Sequence, residues 1–354
     1  MTIQKPIYAP SLVVLTAALC VTQAAMGQVA SPTPARGALT ASLAQGDEIP
    51  NLSLVEWLQR MHAASRKSNY IGTFVVSASA GNLSSARIWH VCEGDLQIER
   101  VEVLSGPPRS TFRRNDQVVT FLPDVKVVKS EKRENLELFP NLLGAPDSSI
   151  ADFYGVRVIG RDRVAGFDAD VVQVEPRDAL RFGYRVWSER RSGLVVKLQT
   201  IDSDGKVIEQ SAFSELQLDA PVKSQTLIQM MNGTAGYRIE KSELERTAAS
   251  KEGWTLRKPI AGFKPLSCYR RPMGGEAPGH TMQWTFSDGL ATVSLFVEPY
   301  DPQRPAREVL LALGATYTLT RRLVDKDGDW WLTVVGEVPP QTLDAFAQSL
   351  VRLR

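Results

Sequence analysis

The stretch 175–216 constrains the fold of this chain more than any other part of the sequence. It contains three runs in which apolar and polar residues alternate, and these runs are 182–187, 194–201 and 206–213. The turn-forming pairs Ser192-Gly193 and Asp204-Gly205 separate the runs. Alternation with period two is typical of half-buried strands, and such short turns join antiparallel neighbours. The sequence therefore predicts an antiparallel meander of three strands.

The first strand of the meander predicts that both faces of its sheet are covered. Successive residues of a strand point to opposite faces. Phe182, Tyr184 and Val186 therefore share one face, while Trp187 lies on the other face beside Arg185. Aromatic side chains on both faces need packing partners on both sides of the sheet.

The N-terminus has the layout of a cleavable signal peptide, which we place at 1–30. Lys5 precedes an apolar run at 12–21, and small alanines follow the run. The run is shorter than the ~20 apolar residues of a membrane span, which disfavours an uncleaved anchor. Cys20 invites a lipoprotein interpretation, but Leu19 before it is bulkier than such a site normally has. The sequence thus predicts an exported, soluble protein.

The rest of the chain is long enough for two domains. Residues 31–50 are rich in Ala, Pro, Thr and Gly without hydrophobic periodicity, so we expect a disordered lead-in. A first domain at 51–220 and a second at 252–354 are joined by a predicted linker at 221–251, where turn residues are frequent and periodicity is weak. The 41 basic and 39 acidic residues nearly balance and form no single-sign run, which argues against nucleic-acid binding.

Hydrophobic periodicity predicts a helix followed by many strands in the first domain. Ser53 and Glu56 form a capping box at the start of an apolar stripe that includes Trp57 and Met61. Besides the meander, the predicted strands are 70–77, 83–92, 97–104, 110–114, 117–122, 125–129, 156–159 and 169–174. A sheet of about ten strands must curl or split.

The second domain combines strands with a closing helix. Its predicted strands are 263–269, 281–286, 290–298, 316–323 and 330–335. After Pro340, the side chains of Leu343, Phe346 and Leu350 form an apolar stripe that covers one face of a sheet. The pattern predicts a small α+β domain.

Two cysteines, Cys92 and Cys268, remain after removal of the signal peptide. Export places them in an oxidising compartment, so we favour a disulfide bond that ties the two domains together. Two buried thiols are the alternative, because the sequence gives no Cα separation.

The motifs of common catalytic sites are absent from the sequence. The three histidines, His62, His90 and His280, have no spacing typical of a metal pair or of a nucleophile with its base. No nucleophile elbow, zinc-protease motif or phosphate-binding glycine loop is present. The sequence therefore predicts a binding protein with no catalytic residues, no cofactor and no metal.

An ordered set of short motifs covers nearly all of the chain after the leader. They are Arg163-Val164-Ala165-Gly166, Pro176-Arg177-Asp178, Arg181-Phe182-Gly183-Tyr184-Arg185-Val186-Trp187, Gly193-Leu194 with Lys197, Trp254, Gly262-Phe263, Phe286-Ser287-Asp288-Gly289-Leu290 and Val293-Ser294-Leu295-Phe296. In this order the motifs resemble the MucB/RseB family of periplasmic regulators. Phe182 departs from the family pattern, which has Tyr at this position; the ring is kept and the hydroxyl is lost.

The resemblance implies a fold class and a function. The fold is mainly β with α (α+β): an N-terminal half-open antiparallel β-barrel similar to the lipoprotein carrier LolA, with plugging helices, and a smaller C-terminal α+β domain. The protein is then periplasmic and binds the periplasmic part of a membrane-anchored anti-sigma factor of the RseA/MucA type. It shields that factor from proteolysis and releases it when lipopolysaccharide or another acylated lipid binds. Self-association into a homo-oligomer is left open.

A lipid or lipoprotein carrier built on the same half-barrel is the alternative function. A carrier needs only the first domain, whereas a regulator uses the second domain to hold its partner. The long, well-patterned second domain therefore favours regulation.

Two sets of residues are candidates for the binding surfaces. Interior side chains of an incompletely closed sheet lack partners and can contact acyl chains. The residues assigned to this lining are Trp89, Phe121, Phe139, Leu142, Leu143 and Phe153. A place in a packed core is an equally good interpretation for each of them.

Arginines are the candidates for partner binding, because guanidinium groups recognise carboxylates and phosphates and both expected ligands carry negative charge. The residues are Arg181, Arg185, Arg190, Arg191, Arg270, Arg271, Arg321 and Arg322. A solvated basic face is the alternative interpretation at each position.

Overall fold

The structure, a computed structural model, describes residues 48–79, 81–132, 148–241, 244–272, 280–302, 307–326 and 328–353. These residues belong to one compact unit, Glu48–Arg354. The predicted signal peptide and nearly all of the predicted lead-in lie outside the described residues. Within the part that the structure describes, no helix combines the length and the hydrophobicity needed to cross a membrane.

Helices are few in the described residues, and strands dominate. The α-helices are α1 (Leu54–Lys67), α2 (Ser224–Asn232) and α3 (Pro340–Ser349). Two short 3-10 helices occupy Pro123–Val125 and Ser148–Asp152.

Among the described residues, twelve strands form the first sheet. They are β1 (Tyr70–Ala78), β2 (Leu83–Glu93), β3 (Leu96–Val103), β4 (Ser110–Arg114), β5 (Gln117–Leu122), β6 (Val127–Lys132), β7 (Tyr154–Val164), β8 (Phe167–Pro176), β9 (Gly183–Glu189), β10 (Val195–Ile201), β11 (Val207–Leu218) and β12 (Arg238–Lys241). The remaining strands are β13 (Glu245–Arg246), β14 (Trp254–Leu256), β15 (Lys264–Pro272), β16 (His280–Ser287), β17 (Thr292–Pro299), β18 (Val309–Leu313), β19 (Thr316–Asp325), β20 (Gly328–Gly336) and β21 (Leu350–Arg352).

The first sheet is open, with the strand order β12-β6-β5-β4-β3-β2-β1-β11-β10-β9-β8-β7. The predicted meander is confirmed, because β9, β10 and β11 are consecutive antiparallel neighbours. In its register, Trp187 lies opposite Lys197 and Lys197 lies opposite Ala212. Within the described residues, β12 makes the one parallel pairing of this sheet, with β6. Among the described strands, β7 and β12 are the edges of this sheet.

Helix α1 begins at the predicted capping box. The backbone N–H of Ser53 donates to Glu56 Oε2 at 2.8 Å, and the backbone N–H of Glu56 donates to Ser53 Oγ at 3.3 Å. The predicted apolar stripe of the helix is buried against the first sheet, and Trp57 and Leu58 are almost inaccessible to solvent. A box of this kind stabilises a helix by roughly 1 kcal/mol, so packing supplies most of its stability.

Two helices cover opposite faces of the first sheet. Ile88 packs in the same core as α1, whereas Trp89, the next residue of β2, packs with Leu227 of α2. Neighbouring residues of a strand point to opposite faces. The large curled sheet therefore buries apolar side chains on both sides.

The segment 221–251 is more than the predicted linker. It contains α2, which packs on the first sheet, as well as β12 and β13, which extend the first and the second sheet. Its weak periodicity has a physical cause, since the nine-residue α2 buries only Ser224, Leu227 and Met231 and has no side-chain cap. The predicted domain boundaries themselves stay a prediction.

In the part of the chain that the structure describes, the second sheet has seven strands in the order β13-β15-β16-β17-β20-β19-β18. As predicted, the closing helix α3 covers one face, where Leu343 and Phe346 are completely buried with Val293 and Leu295. Strands β14 and β21 form a separate pair beside this core, in which Trp254 lies opposite Arg352. The fold is therefore α+β, with an open, mainly antiparallel sheet in each part.

Candidate functional site

A group of charged and aromatic side chains, with a fully buried ion pair at its centre, joins the two sheets. We call it the inter-sheet cluster; its members are Arg181, Asp178, Asp288, Tyr154 and Phe153. Arg181 comes just before β9, and Asp288 lies in the turn between β16 and β17. Arg181 Nε donates to Asp288 Oδ2 at 2.8 Å, and both side chains are 0% exposed. A fully buried ion pair thus crosses between the parts of the molecule built on the two sheets.

Both members of the Arg181–Asp288 ion pair form further hydrogen bonds. The Tyr154 hydroxyl donates to Asp288 Oδ2 at 3.0 Å, while the backbone N–H groups of Leu290 and Ala291 donate to Oδ1 at 3.0 and 2.7 Å. The other Arg181 nitrogens donate to Asp178 and to the carbonyl of Ala261. Buried charges are tolerated only when paired and hydrogen-bonded in this way.

Aromatic rings enclose the Arg181 guanidinium. Its central carbon lies 4.5 Å from the ring centroid of Phe153 and 5.0 Å from that of Phe263. Gly262 passes close to it with φ +82°, and a Cβ there would lie 2.2 Å from Arg181 Nη2. The Gly262-Phe263 motif therefore serves close packing around the guanidinium.

Tyr154 remains a neutral donor in this environment. Burial is the largest cause that raises the pKa of its phenol well above the ordinary value, and the charge of Asp288 adds to the effect. The hydroxyl proton is therefore retained at any physiological pH, and the hydroxyl stays a donor in the hydrogen bond to Asp288.

Further contacts tie the two parts together. Thr342 Oγ1 donates to the carbonyl of Leu180 at 2.8 Å, and Lys264 Nζ donates to Ser149 Oγ at 3.0 Å. The backbone N–H of Ala315 donates to Glu209 Oε2 at 3.0 Å. The relative position of the two sheets is thus fixed at several separated points.

A small apolar cavity lies under α1, near the inter-sheet cluster. Its volume is about 40 Å³. Its lining consists of Leu58, Met61, Val174, Tyr184, Val186, Val195, Leu198, Leu290 and Glu337. Typical small-molecule sites have volumes of ~300–1,000 Å³, so this cavity is too small for an acyl chain unless α1 moves.

The structure does not bring together the three predicted lipid-lining residues that it describes. Trp89 packs near α2 with the guanidinium of Arg100 4.7 Å from its ring centroid. Phe121 is buried among Phe112, Val119, Val128 and Met231, and Phe153 packs on Arg181. None of these three lines the cavity under α1.

The other three residues of that set, Phe139, Leu142 and Leu143, lie outside the described residues. For Phe121 the packed-core interpretation fits the structure. The cavity residues Leu58 and Met61 were missed as candidate ligand contacts, because at helical spacing they are indistinguishable from ordinary core residues.

The structure contradicts one member of the predicted basic surface, Arg181, and a partner-binding role for the other arginines stays a prediction. Arg181 is buried in the inter-sheet cluster and cannot meet a partner from solvent. Arg185 Nη2 donates to Gln173 Oε1 at 2.9 Å, Arg190 Nε lies 3.8 Å from Asp170 Oδ1, and Arg191 is exposed.

The arginines of the second sheet are paired with carboxylates. Arg270 Nη2 lies 2.8 Å from Glu252 Oε1, and Arg271 Nη2 lies 3.6 Å from Glu131 Oε2. Arg321 Nη2 lies 2.8 Å from Asp344 Oδ1, and Arg322 pairs with Asp329. Three strands separate β15 from β19, so the two arginine pairs lie well apart in the sheet.

The predicted disulfide bond is wrong, because both cysteines are free thiols. Cys92 lies in β2 of the first sheet and its Sγ is 3.7 Å from the carbonyl oxygen of Gly94. Cys268 is buried in the core of the second sheet, where burial raises the pKa of its thiol to about 11. The two thiols therefore belong to different sheets.

His90 and His280 have structural partners. The His90 ring stacks on Tyr70 at 5.0 Å and its Nδ1 lies 2.8 Å from the Ser68 carbonyl oxygen; burial lowers the pKa of its imidazole. His280 Nε2 lies 2.8 Å from Glu252 Oε2. Within the described ranges, no three His, Cys, Asp or Glu side chains are arranged to hold a metal ion.

Comparison with known proteins assigns the chain to a family. The model of the MucB/RseB N-terminal domain matches residues 53–231, and that of the MucB/RseB C-terminal domain matches residues 248–351. The chain belongs to the MucB/RseB family. The resemblance seen in the sequence motifs is thereby confirmed, and this is a family of regulatory binding proteins rather than enzymes.

Relatives in the MucB/RseB family match the chain along most of its length. The sigma factor AlgU regulatory protein MucB of Pseudomonas aeruginosa is 29% identical over 305 residues, which cover 83% of this chain and 90% of MucB. The sigma-E factor regulatory protein RseB of Escherichia coli K12 is 25% identical over 323 residues, which cover 91% of this chain and 92% of RseB.

A solved structure of the family includes its partner. The MucA/MucB complex of Pseudomonas aeruginosa aligns with a TM-score of 0.66 and 28% identity, and the alignment covers 85% of this chain and 99% of that chain. Both sheets therefore have counterparts in one known regulator.

Proposed function

We propose that this protein is an exported, periplasmic regulator that binds the periplasmic part of a membrane-anchored anti-sigma factor and thereby controls a sigma-E-type factor. The observation that carries the proposal is the full-length likeness to MucB in its complex with MucA. The likeness extends through both sheets. It therefore favours a regulator over a carrier, since a carrier needs only the domain that contains the first sheet.

Bound in this way, the anti-sigma segment is shielded from proteolysis. A protease cleaves an extended, accessible chain, so it must wait until the segment dissociates. The rate of cleavage then follows the small fraction of free segment, which the affinity of the complex sets.

Lipopolysaccharide or another acylated lipid releases the segment in this proposal. A change from mostly bound to mostly free needs roughly 5 kcal/mol of differential affinity. Burial of six to seven methylene groups supplies about that amount at ~0.8 kcal/mol each. The cavity under α1 is the starting point for such burial, because movement of α1 would enlarge an already apolar space.

Calorimetric titration of the exported full-length protein with the periplasmic segment of the anti-sigma factor tests binding. We expect saturable binding of one segment per chain, and we expect added lipopolysaccharide to weaken it. De-acylated lipopolysaccharide is the matched control: it keeps the phosphates and lacks the chains, so it should leave the affinity unchanged.

Absence of binding to the segment would contradict the proposal. The alternative carrier function makes the opposite prediction: the protein purified from the periplasm then contains acylated cargo, and the cargo transfers to acceptor membranes without any effect of the segment.

A further inference from the structure

A row of aromatic and charged side chains crosses strands β1 to β4 beneath the C-terminal end of α1. Tyr70 of β1 lies opposite His90 of β2, and His90 lies opposite Glu99 of β3. Glu99 in turn lies opposite Arg113 of β4. Side chains directly opposite each other on neighbouring strands share one face of the sheet. This is the face that α1 covers, because Tyr70 belongs to the same core as α1.

His90 connects the end of α1 to this row. The residue is 5% exposed, and its ring stacks on the Tyr70 ring with 5.0 Å between the centroids. The Tyr70 phenol stays neutral, since burial raises its pKa well above the ordinary value. His90 Nδ1 lies 2.8 Å from the carbonyl oxygen of Ser68, the C-cap of α1. A carbonyl oxygen only accepts, so Nδ1 carries the proton of the neutral ring and a second proton binds at Nε2.

A second proton on His90 is unfavourable in this environment. Burial is the largest cause that lowers the pKa of the imidazole, and the charges of Arg113 and Arg66 act in the same direction. Glu99 and the hydrogen bond with Ser68 favour the imidazolium, but they do not outweigh burial. A conformation in which the His90 ring meets water therefore binds the second proton more readily than the closed conformation does.

Two further hydrogen bonds hold this end of α1 on the sheet. Gln97 Nε2 of β3 donates to the carbonyl oxygen of Arg66 at 3.0 Å, and the backbone N–H of Cys92 donates to Asn69 Oδ1 at 2.8 Å. Both acceptors lie within two residues of Ser68. These two bonds and the His90 contact are therefore lost together when this end of the helix moves away from the sheet.

We propose that His90 is a pH-sensitive latch: in its neutral form it holds the C-terminal end of α1 on the first sheet, and protonation favours a state in which this end has moved away. Acid then opens the helix that covers the apolar cavity lined by Leu58 and Met61. Lipid and anti-sigma factor have no part in this step.

The sign of the pH dependence follows from the lowered pKa of His90. The closed state has its full advantage above the ordinary histidine pKa of 6.5 and loses it as the pH falls through the lower pKa of the closed state. Between these two values the equilibrium constant for opening rises by up to about tenfold for each pH unit.

Hydrogen-exchange mass spectrometry of the exported full-length protein, without lipid or anti-sigma segment, tests the latch. Between about pH 7.5 and pH 5 we expect the protection of the α1 amides, corrected for the intrinsic pH dependence of exchange, to fall by about tenfold. Helix α3, which packs on the second sheet, is the internal control and should keep its protection.

Substitutions separate His90 from the other histidines of the chain. His90→Phe keeps an aromatic ring beside Tyr70 but binds no proton, so its corrected α1 protection should not change with pH. His62→Gln in α1 and His280→Gln in β16 replace the other two of the three histidines and should keep the wild-type response.

Glu99→Gln gives a test that does not depend on the folding of the His90→Phe variant. The Glu99 carboxylate favours the protonated ring, so its removal lowers the pKa of His90 further. The midpoint of the loss of α1 protection should therefore move to lower pH. A merely structural role of Glu99 would instead change the protection of α1 equally at every pH.

Four results would overturn the proposal. They are a wild-type α1 whose corrected protection stays constant over the whole pH range, a His90→Phe variant that responds as the wild type does, a His62→Gln variant that no longer responds, and a midpoint that Glu99→Gln leaves unchanged or raises. Equal loss of protection in α1 and α3 would mean that acid unfolds the whole protein, which also contradicts the latch. None of these measurements involves the anti-sigma factor, so they are independent of the proposed function.

Discussion

Arg181 shows how far a single residue can depart from its sequence-based interpretation. It stands in an arginine-rich run and was predicted to meet a partner in solvent, yet its guanidinium is fully buried. Its partner Asp288 lies 107 residues later, in the turn between β16 and β17. Alternation within strands reveals faces and turns, but it does not reveal which distant turn meets which strand. The inter-sheet cluster could therefore not be predicted from the sequence.

Replacement of Arg181 should destabilise the whole protein. Arg181→Met leaves Asp288 as a buried charge without its cation, and loss of one partner of a buried pair typically costs ~3–5 kcal/mol. Urea denaturation measures the effect. Arg185→Met is the matched control, since Arg185 bonds the neutral side chain of Gln173, and its loss leaves no buried charge and should cost at most ~1.5–3 kcal/mol. Equal losses for the two variants would contradict a special role of the cluster.

Glu252 should make the second sheet sensitive to acid. Burial raises the pKa of its carboxyl, but hydrogen bonds from Thr247, Arg270 and His280 outweigh burial, so the pKa lies below the ordinary 4.5. A carboxyl whose pKa is lowered by folding contributes stability above its unfolded pKa, and this contribution is lost as the pH falls through the folded pKa.

Measurements of unfolding free energy between about pH 6 and pH 3 test this expectation. The loss of stability with acid should be smaller for Glu252→Gln than for the wild type. Glu298→Gln, in β17 of the same sheet, is a control that should keep the wild-type slope. A Glu252→Gln protein with an unchanged slope would show that other carboxyls dominate.

At the scale of elements, strands with regular alternation and clear turns were predicted well. Strands β4 and β5 have the predicted bounds, and the helices at Ser53 and after Pro339 are present. Strand β7 runs to Val164, well beyond the predicted 156–159, because the irregularity at Gly160 interrupts the alternation while pairing with β8 continues. Strand β18 was missed, since an edge strand exposed on both faces shows no alternation at all.

Trp187 links three strands of the first sheet. Its Nε1 donates to Asp162 Oδ2 at 2.9 Å in β7, and Lys197 Nζ of β10 lies 4.3 Å from its ring centroid. The ring is buried, so Trp187→Ala should destabilise the protein by ~3–5 kcal/mol. Chemical denaturation monitors the loss. Trp187→Phe keeps an aromatic ring and should lose much less stability. If Trp187→Phe loses as much stability as Trp187→Ala, the hydrogen bond to Asp162 accounts for the effect.

At the scale of the whole molecule, the inter-sheet contacts decide how lipid can act. If lipid releases the anti-sigma segment by moving α1 and the adjoining turn, the bonds at Asp288 must loosen. We then expect the amides of Leu290 and Ala291, which donate to Asp288 Oδ1, to be protected from hydrogen exchange in the free protein and to lose protection when lipopolysaccharide is added.

Hydrogen-exchange mass spectrometry follows this change. Amides in the interior of the meander, between β9 and β10, are the internal control and should stay protected. Unchanged protection at Leu290 and Ala291 during release would favour direct overlap of lipid and segment on one surface.

The two free thiols have a consequence for how the protein matures. Because no disulfide bond joins the two sheets in the described residues, a protein exported as proposed should reach its native state without help from periplasmic thiol oxidases, and cells lacking them should accumulate normal amounts of it. A melting temperature that is the same with and without dithiothreitol is the corresponding result in vitro. Cys268, with its thiol pKa near 11, should resist alkylation until the protein unfolds.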